Sequence, residues 1–83
     1  NDAALSLIDI KQQRQQYKPR GVRYPGVNFA ACAQAMGCKA WRIEPGDDVS
    51  AALRAAFEEQ GPALVDVVCN ADGYGEQLVR IRG

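Results

Sequence analysis

The sequence has no histidine, one methionine and no long uninterrupted run of apolar residues. Without histidine the chain lacks the commonest general base at neutral pH and the commonest zinc ligand. The longest apolar run, Ala63 to Cys69, contains Asp66 and is far shorter than the roughly 18 residues that a transmembrane helix requires. No basic segment followed by an apolar core opens the chain, so we predict neither a membrane span nor a secretory signal.

Size and composition predict one small globular unit. The chain has 83 residues, of which 47% are hydrophobic and 24% charged, as in folded rather than disordered proteins. A chain of this length buries only about 60–65% of the surface that it exposes when unfolded, so we expect a thin margin of stability. The only methionine is Met36, so we expect the chain to be a piece of a larger protein or a processed product.

The charges are balanced overall but unevenly distributed. Residues 1–42 carry most of the ten basic side chains, and residues 43–83 carry most of the ten acidic ones. A basic half can indicate nucleic-acid binding, but no basic motif interleaved with aromatic residues accompanies it. We therefore expect no nucleic-acid partner, and a basic surface that pairs with the acidic half or with the rest of a larger protein.

The three cysteines do not form a metal-binding or disulfide pattern. Cys32, Cys38 and Cys69 are odd in number and lack the spacing of a metal site. They are predicted to be buried, reduced thiols, which is the usual state in the cytoplasm.

The first half of the chain predicts two helices joined by a loop. Residues 3–16 are predicted to form a helix whose first half is buried, because four apolar side chains lie there: Ala4, Leu5, Leu7 and Ile8. Prolines and glycines make residues 17–27 a loop. Asn28 is predicted to cap a second helix that ends at Gly37, with one apolar face made of Phe29, Cys32, Ala33 and Met36.

The second half predicts a βαβ unit. Residues 38–44 and 63–69 are predicted strands, and residues 48–60 a helix capped by Asp47 or Asp48, with an apolar face of Val49, Ala52, Leu53, Ala56 and Phe57. An apolar second strand is typical of a covered parallel sheet, so we predict a right-handed βαβ unit. Residues 70–73 are turn-like, and residues 76–82 are predicted to be a short strand or a tail.

The predicted fold class is α/β, a partial doubly wound parallel sheet in the order helix, helix, βαβ and short tail. Two parallel strands alone expose both sheet edges and cover little of their own apolar surface. We therefore expect further strands, supplied by sequence upstream or by a second copy of the chain.

Several segments within residues 1–69 form one ordered set of motifs: Asn1-Asp2 to Gln12, Gly21-Val22, Asn28-Phe29-Ala30, Ala33 to Gly37 and Gly61 to Val67. This set resembles the acetolactate synthase-like thiamine-diphosphate-dependent enzymes. Their cofactor motif begins with Gly-Asp-Gly and closes with Asn-Asn or Asn-Asp, and this chain begins with Asn1-Asp2. Residues 1–83 are thus identified as the C-terminal part of a thiamine-diphosphate-binding domain.

The resemblance implies a cofactor enzyme that acts on 2-oxo acids. Enzymes of this family decarboxylate 2-oxo acids, and acetolactate synthases join the resulting two-carbon unit to a second 2-oxo acid. They hold thiamine diphosphate through Mg²⁺ at the carboxyl ends of a parallel sheet, where open α/β sheets bind ligands. The cofactor carries the difficult chemistry while the protein orients it.

Carried over by position, the resemblance assigns ligands at the start of the chain. Asp2 would bind Mg²⁺ through its side chain, and Ala4 through its backbone carbonyl; both are hard oxygen ligands of the kind that Mg²⁺ prefers. Asp2 stands where the family usually has asparagine, which changes the charge but keeps an oxygen donor. Leu5, Ser6 and Leu7 would lie beside the cofactor, and Lys11 near the substrate entrance. No catalytic residue is assigned.

Each of these residues also has a simpler structural interpretation. Asp2 has the alternative interpretation of an N-cap or first-turn acid that stabilises the first helix through the helix dipole. Leu7 and Ile8 are equally typical of a core, and Lys11 of a surface. Asp66, an acid in an apolar strand, is interpreted as a strand-end or hydrogen-bonded carboxylate.

The Gly-Asp-Gly segment and the domain with the family's catalytic glutamate do not occur in residues 1–83. We therefore expect thiamine diphosphate and Mg²⁺ in a parent enzyme, and no tight binding or activity in this chain alone. The partner would be the rest of that enzyme or a second copy, giving a homo-oligomer. The alternatives are a stand-alone interaction module that self-associates through its sheet edge and, more remotely, a regulatory ligand-binding domain. The latter should carry a glycine-rich phosphate loop after a strand, and none is present.

Overall fold

The helix and strand signals produce an α/β chain in a computed structural model that describes residues 1–82. In chain order the elements are α1 (Ser6–Arg14), α2 (Phe29–Ala35), β1 (Lys39–Ile43), α3 (Val49–Glu58), β2 (Ala63–Val67) and α4 (Tyr74–Arg82). The predicted α/β class with a partial parallel sheet is confirmed. None of the helices within residues 1–82 has the length and apolar character needed to cross a membrane.

The β1–α3–β2 segment forms the predicted parallel pair. β1 and β2 run parallel in a register that places Lys39 opposite Ala63 and Ile43 opposite Val67. Gly46, in the predicted turn, has a φ of 93°, which glycine adopts at no steric cost. Asp48 then caps α3, its Oδ1 accepting a hydrogen bond from the Ala51 amide at 3.0 Å. These local signals explain why this unit was predictable.

Helix α2 begins and ends as predicted but buries a different face. The Asn28 side chain accepts from the Ala31 amide at 3.0 Å, and Gly37 follows the helix with a φ of 89°. The buried residues are Ala30 and Ala33, whereas three of the four predicted apolar residues are exposed: Phe29, Cys32 and Met36. Small side chains allow a helix backbone to approach a sheet closely, and α2 packs on both β1 and β2 through this alanine side.

Two compact units make up the chain. The first contains Asn1 and residues 27–69, which include α2, the sheet and α3. The second contains residues 2–26 and 70–82, which include α1 and α4.

In the second unit, α1 is shorter and more exposed than predicted. It begins at Ser6 because Ala4 instead forms an isolated antiparallel bridge with Arg23. The prediction that its first half is buried is wrong, since Leu5, Leu7 and Ile8 are 45–49% exposed. The buried residue of α1 is Asp9, whose carboxylate accepts from Gln13 Nε2 at 2.6 Å and from Arg23 Nη2 at 3.1 Å.

The predicted strand or tail at residues 76–82 is wrong, because this segment belongs to helix α4. Gly73, with a φ of 85°, turns the chain immediately before the helix. Tyr74, Leu78 and Ile81 recur at i, i+4 and i+7, which is a helical spacing. Apolar and basic side chains alternate in Val79-Arg80-Ile81-Arg82, a strand-like pattern that concealed the helical spacing.

Much of the apolar surface stays uncovered within the described residues. Helix α3 has no fully buried residue, and Val49, Leu53 and Phe57 on its apolar face are 45%, 40% and 87% exposed. Among the described residues the buried apolar ones are few, and two of them are alanines: Val22, Ala30, Ala33 and Ile43. This exposure agrees with the expectation that two parallel strands cover little apolar surface by themselves.

Candidate functional site

Asn1 lies along the carboxyl end of β2. Its main-chain nitrogen donates to the Val67 carbonyl at 2.8 Å, and its carbonyl accepts from the Cys69 amide at 2.9 Å. A residue of a parallel strand bonds to its neighbour in this way, through the two residues that flank its partner. On the other side of the same segment, the Val68 amide donates to the Ile43 carbonyl at 2.8 Å. The main chain of Asn1 therefore extends the sheet at the end where parallel α/β sheets bind ligands.

The Asn1 side chain is held by two acceptors. Its Nδ2 donates to the Val27 carbonyl and to Asp66 Oδ1, each at 2.9 Å. Because both partners only accept, the amide nitrogen must face them, and this determines the orientation of the amide. A carboxylate at this position would set like charge against Asp66.

Asp66 is a buried carboxylate with three donors. Its side chain is 1% exposed, and its Oδ2 accepts from the Phe29 amide at 3.1 Å and from Arg42 Nη1 at 3.2 Å. Arg42 is its partner in the register of β1 and β2. The interpretation of Asp66 as a hydrogen-bonded acid is confirmed, and its donors come from residue 1, from the start of α2 and from β1.

Burial and hydrogen bonding act in opposite directions on Asp66. Burial raises the pKa of its carboxyl group, but the Asn1 amide, the Phe29 amide and the Arg42 guanidinium together outweigh that effect. The pKa of Asp66 is therefore lowered from its ordinary value of 3.8, and the group is ionised at neutral pH.

The lowered pKa of Asp66 predicts a loss of stability in acid. A carboxyl group whose pKa is lower in the folded state stabilises that state above its unfolded pKa, and this contribution is lost as pH falls through the folded value. We expect the midpoint of urea unfolding to be constant near neutral pH and to fall below about pH 4. Asp66→Asn should flatten this dependence. A pH profile equally steep in that variant would contradict the assignment.

Asp2 is linked to the first turn of α1 without capping it. Its Oδ1 accepts from the Ala4 amide at 3.2 Å, and its Oδ2 accepts from the Ser6 hydroxyl. The Ser6 hydroxyl holds the pKa of Asp2 below its ordinary value, against the effect of burial and with help from the Ala4 amide. Leu5 occupies the N-cap position, and the acid of the first turn is Asp9, so the interpretation of Asp2 as a cap or first-turn acid is wrong.

Ala4 presents its carbonyl on the same edge of the chain as its amide. The bridge to Arg23 is made by the flanking residues, with the Leu5 amide donating to Val22 and the Tyr24 amide donating to Ala3. In this antiparallel pattern the amide and carbonyl of Ala4 itself point away from the bridge. The amide on that edge already bonds Asp2, so one ionised carboxylate and one carbonyl belong to the same short segment. Both are hard oxygen donors, which fits Mg²⁺.

The structure brings only some of the other predicted cofactor residues together. Ser6 bonds Asp2 directly, whereas Leu5 donates its amide to the Val22 carbonyl at 2.6 Å and leaves its side chain 47% exposed. Leu7 and Ile8 are too exposed to be core residues. Leu7 lines an apolar groove of about 290 Å³ with α4, whose lining residues are Tyr74, Gln77, Leu78 and Ile81. Lys11 is exposed on α1.

The ligand set within the described residues is partial. Residues 1–82 contain no group of three or more histidine, cysteine or acidic side chains placed to hold a metal ion. Asp2 thus contributes a single carboxylate. Sequence reasoning missed the contact of Asn1 with Asp66. An acid in an apolar strand and an arginine in the neighbouring strand were a usable signal for the Arg42–Asp66 pair alone. Sequence reasoning also missed the Asp9–Arg23 ion pair.

Comparison with known proteins gives one family. Residues 1–67 match the family model described as thiamine pyrophosphate enzyme, C-terminal TPP binding domain. The Mycobacterium tuberculosis (strain ATCC 25618 / H37Rv) protein named acetolactate synthase large subunit IlvX is 38% identical over 65 residues, 78% of this chain and 10% of that protein. The catabolic acetolactate synthase of Raoultella terrigena is 29% identical over 66 residues, 80% of this chain and 12% of that protein.

A third relative extends the same pattern. The acetolactate synthase of Bacillus subtilis (strain 168) is 22% identical over 67 residues, 81% of this chain and 12% of that protein. The chain thus spans about a tenth of the length of the curated relatives that it matches. No solved structure matches it significantly.

Proposed function

From the premise that this chain belongs to the thiamine pyrophosphate enzyme family, through its C-terminal TPP binding domain, we propose that it serves an enzyme that uses thiamine diphosphate and Mg²⁺. The names of its relatives support an acetolactate synthase-like activity, the carboligation or decarboxylation of 2-oxo acids. Such an enzyme is a transferase or a lyase, and this chain supplies part of its cofactor site.

Asp2 and Ala4 are the proposed Mg²⁺ ligands. One observation carries this assignment: the ionised carboxylate of Asp2 and the carbonyl of Ala4, which points away from the bridge, belong to one short segment. Asn1, directly before that segment, pairs with the end of β2. The Ser6 hydroxyl keeps one carboxylate oxygen in place. When bound, thiamine diphosphate supplies the carbanion chemistry, while Leu5, Ser6 and Leu7 orient it and exclude water.

Calorimetric titration with Mg²⁺ and thiamine diphosphate tests this function. We expect the full-length natural protein that contains these residues to bind both. We expect the 83-residue chain alone to bind them weakly and to be inactive, because its described residues offer Asp2 as one carboxylate rather than a complete ligand set. A full-length protein that bound neither ligand would refute the proposal.

The remainder of a longer enzyme is the proposed partner of this chain. The length of the relatives supports this arrangement, as does the sheet pairing of Asn1, which suits a third strand that leads into this residue. We place the enzyme in the cytoplasm, where the thiols of Cys32 and Cys38 stay reduced.

The uncovered apolar surface supports a second candidate, a stand-alone module that self-associates. The side chains of Met36, Phe57 and Ile81 are each at least 78% exposed, and surfaces of this kind associate in water. We expect the isolated 83-residue chain to form a homo-oligomer in sedimentation equilibrium at micromolar concentration. A monodisperse, folded monomer at high concentration would contradict self-association. A start codon directly before Asn1 would favour the module, and an open frame leading upstream to Gly-Asp-Gly would favour the enzyme.

A further inference from the structure

We propose that Asp66 is a positioning residue of the cofactor site, which acts through Asn1. By accepting a hydrogen bond from the Asn1 amide, it fixes the main chain immediately before Asp2, the proposed metal ligand. This inference rests on the proposed function and names a residue for which the family resemblance implied no role.

The surroundings of Asp66 show that it acts through other residues. Its side chain is 1% exposed, so it does not reach a bound ligand, and both of its oxygens accept from protein donors. A buried ion pair is seldom more stabilising than apolar side chains of similar volume in the same place, so stability alone does not account for an aspartate in this strand. The specific contribution of this carboxylate is therefore orientation, since a charged acceptor with three donors allows one arrangement of the segments that supply them.

Asn1 transmits that orientation. The Asn1 main chain pairs with Val67 and Cys69, and its amide bonds Asp66 and Val27, so both its backbone and its side chain are held. Asp2 is the next residue, and its backbone starts from a fixed point. The two residues thus have different roles: the Asn1 side chain donates hydrogen bonds to Val27 and Asp66, and Asp2 is the proposed Mg²⁺ ligand.

The test measures the Mg²⁺ dissociation constant of the full-length natural protein by calorimetry at saturating thiamine diphosphate. The variants are Asn1→Ala, Asp66→Asn and the double variant. In Asp66→Asn the one side-chain oxygen can accept from Phe29 and Arg42 only if the NH₂ group faces the Asn1 amide. Two donors then face each other, and the hydrogen bond to Asn1 is lost. We expect each single substitution to raise the Mg²⁺ dissociation constant by about 10–100-fold, the usual effect of removing a residue that orients a ligand.

The double variant and a control separate positioning from stability. Both substitutions remove the same hydrogen bond, between Asn1 and Asp66. The Mg²⁺ dissociation constant of the double variant should therefore be no higher than the higher of the two single-variant values. Asp48→Ala removes the α3 cap, a hydrogen bond with the Ala51 amide that involves neither Asn1 nor Asp66, so it should lower the thermal midpoint while Mg²⁺ binding stays unchanged. At saturating Mg²⁺ the turnover number of Asn1→Ala should return toward the unsubstituted value, because positioning affects affinity rather than chemistry.

Three results would overturn the inference. They are unchanged Mg²⁺ affinity in Asn1→Ala, additive effects in the double variant, and a loss of affinity in Asp48→Ala as large as that in Asn1→Ala. If the unsubstituted protein binds Mg²⁺ and thiamine diphosphate, any of these results removes the positioning role and leaves the proposed function intact. If the unsubstituted protein binds neither, both fall together.

Discussion

Asp2→Ala is expected to weaken Mg²⁺ binding by the full-length protein about 10–150-fold, the equivalent of the roughly 1.5–3 kcal/mol that a hydrogen bond to a charged group contributes. The substitution removes the carboxylate that Ser6 and the Ala4 amide hold in place. Of the two proposed Mg²⁺ ligands, only the Ala4 carbonyl then remains. Calorimetric titration with Mg²⁺ at saturating thiamine diphosphate measures the change.

Two further variants test whether the oxygen or the charge of Asp2 matters. Asp2→Asn keeps an oxygen on the side chain, so we expect it to retain most of the Mg²⁺ affinity. Asp72→Ala removes an exposed acid from the turn before α4 and should have no effect. If Asp2→Ala bound Mg²⁺ as tightly as Asp72→Ala does, Asp2 would not be a ligand.

Ser6→Ala completes this series, because it separates the ligand from the group that holds it. The Ser6 hydroxyl is the main cause of the lowered pKa of Asp2. Without it, the carboxylate keeps its charge at neutral pH but loses a fixed orientation. We expect an affinity between those of the unsubstituted protein and Asp2→Ala.

Local signals explain which elements the sequence could predict. Asn28 and Asp48 each cap a helix through their own side chains, and Gly37 ends one of these helices with a positive φ. These effects involve residues within a few positions of one another, so sequence spacing reveals them. The parallel pairing of β1 and β2 followed from the helix between two apolar segments.

Burial was harder to predict, because it depends on what covers a residue. Leu7 and Phe57 have the spacing of core residues, yet they are 45% and 87% exposed in the described part of the chain. Asp9 and Asp66, both acidic, are buried because Arg23 reaches the first, and Arg42 and the Asn1 amide reach the second, from other segments of the chain. No periodicity records such partners.

The candidate site shows the same division. The resemblance assigned Asp2 and Ala4 from their place in a motif, and that assignment stays a prediction. The contact between Asn1 and Asp66 joins residues 65 positions apart, so only the folded chain brings it to light. Residues that hold a ligand can thus be carried over from a motif, whereas the residues that place them require tertiary structure.

The largest effect on stability is expected from Asp66→Ala. It leaves the donors on Asn1, Phe29 and Arg42 without their acceptor, and removing one partner of a buried ion pair costs about 3–5 kcal/mol. Arg42 is 32% exposed and can turn toward water, so we expect a loss of about 2–4 kcal/mol in the free energy of unfolding. Urea unfolding measures it. Asp48→Ala is the reference, since loss of an N-cap costs about 1 kcal/mol.

A double replacement separates the effect of Asp66 on stability from its effect on Mg²⁺ binding. In Asp66→Val with Arg42→Leu, the buried charge and its partner both disappear, and apolar side chains fill their place between the strands. We expect this variant to regain part of the stability lost in Asp66→Ala, because the partner charge of Arg42 is gone, while the Asn1 and Phe29 amides still lack their acceptor. Mg²⁺ binding should remain impaired, since Asn1 still lacks its acceptor. Recovery of stability without recovery of affinity would show that this carboxylate stabilises the fold less than it orients the chain before Asp2.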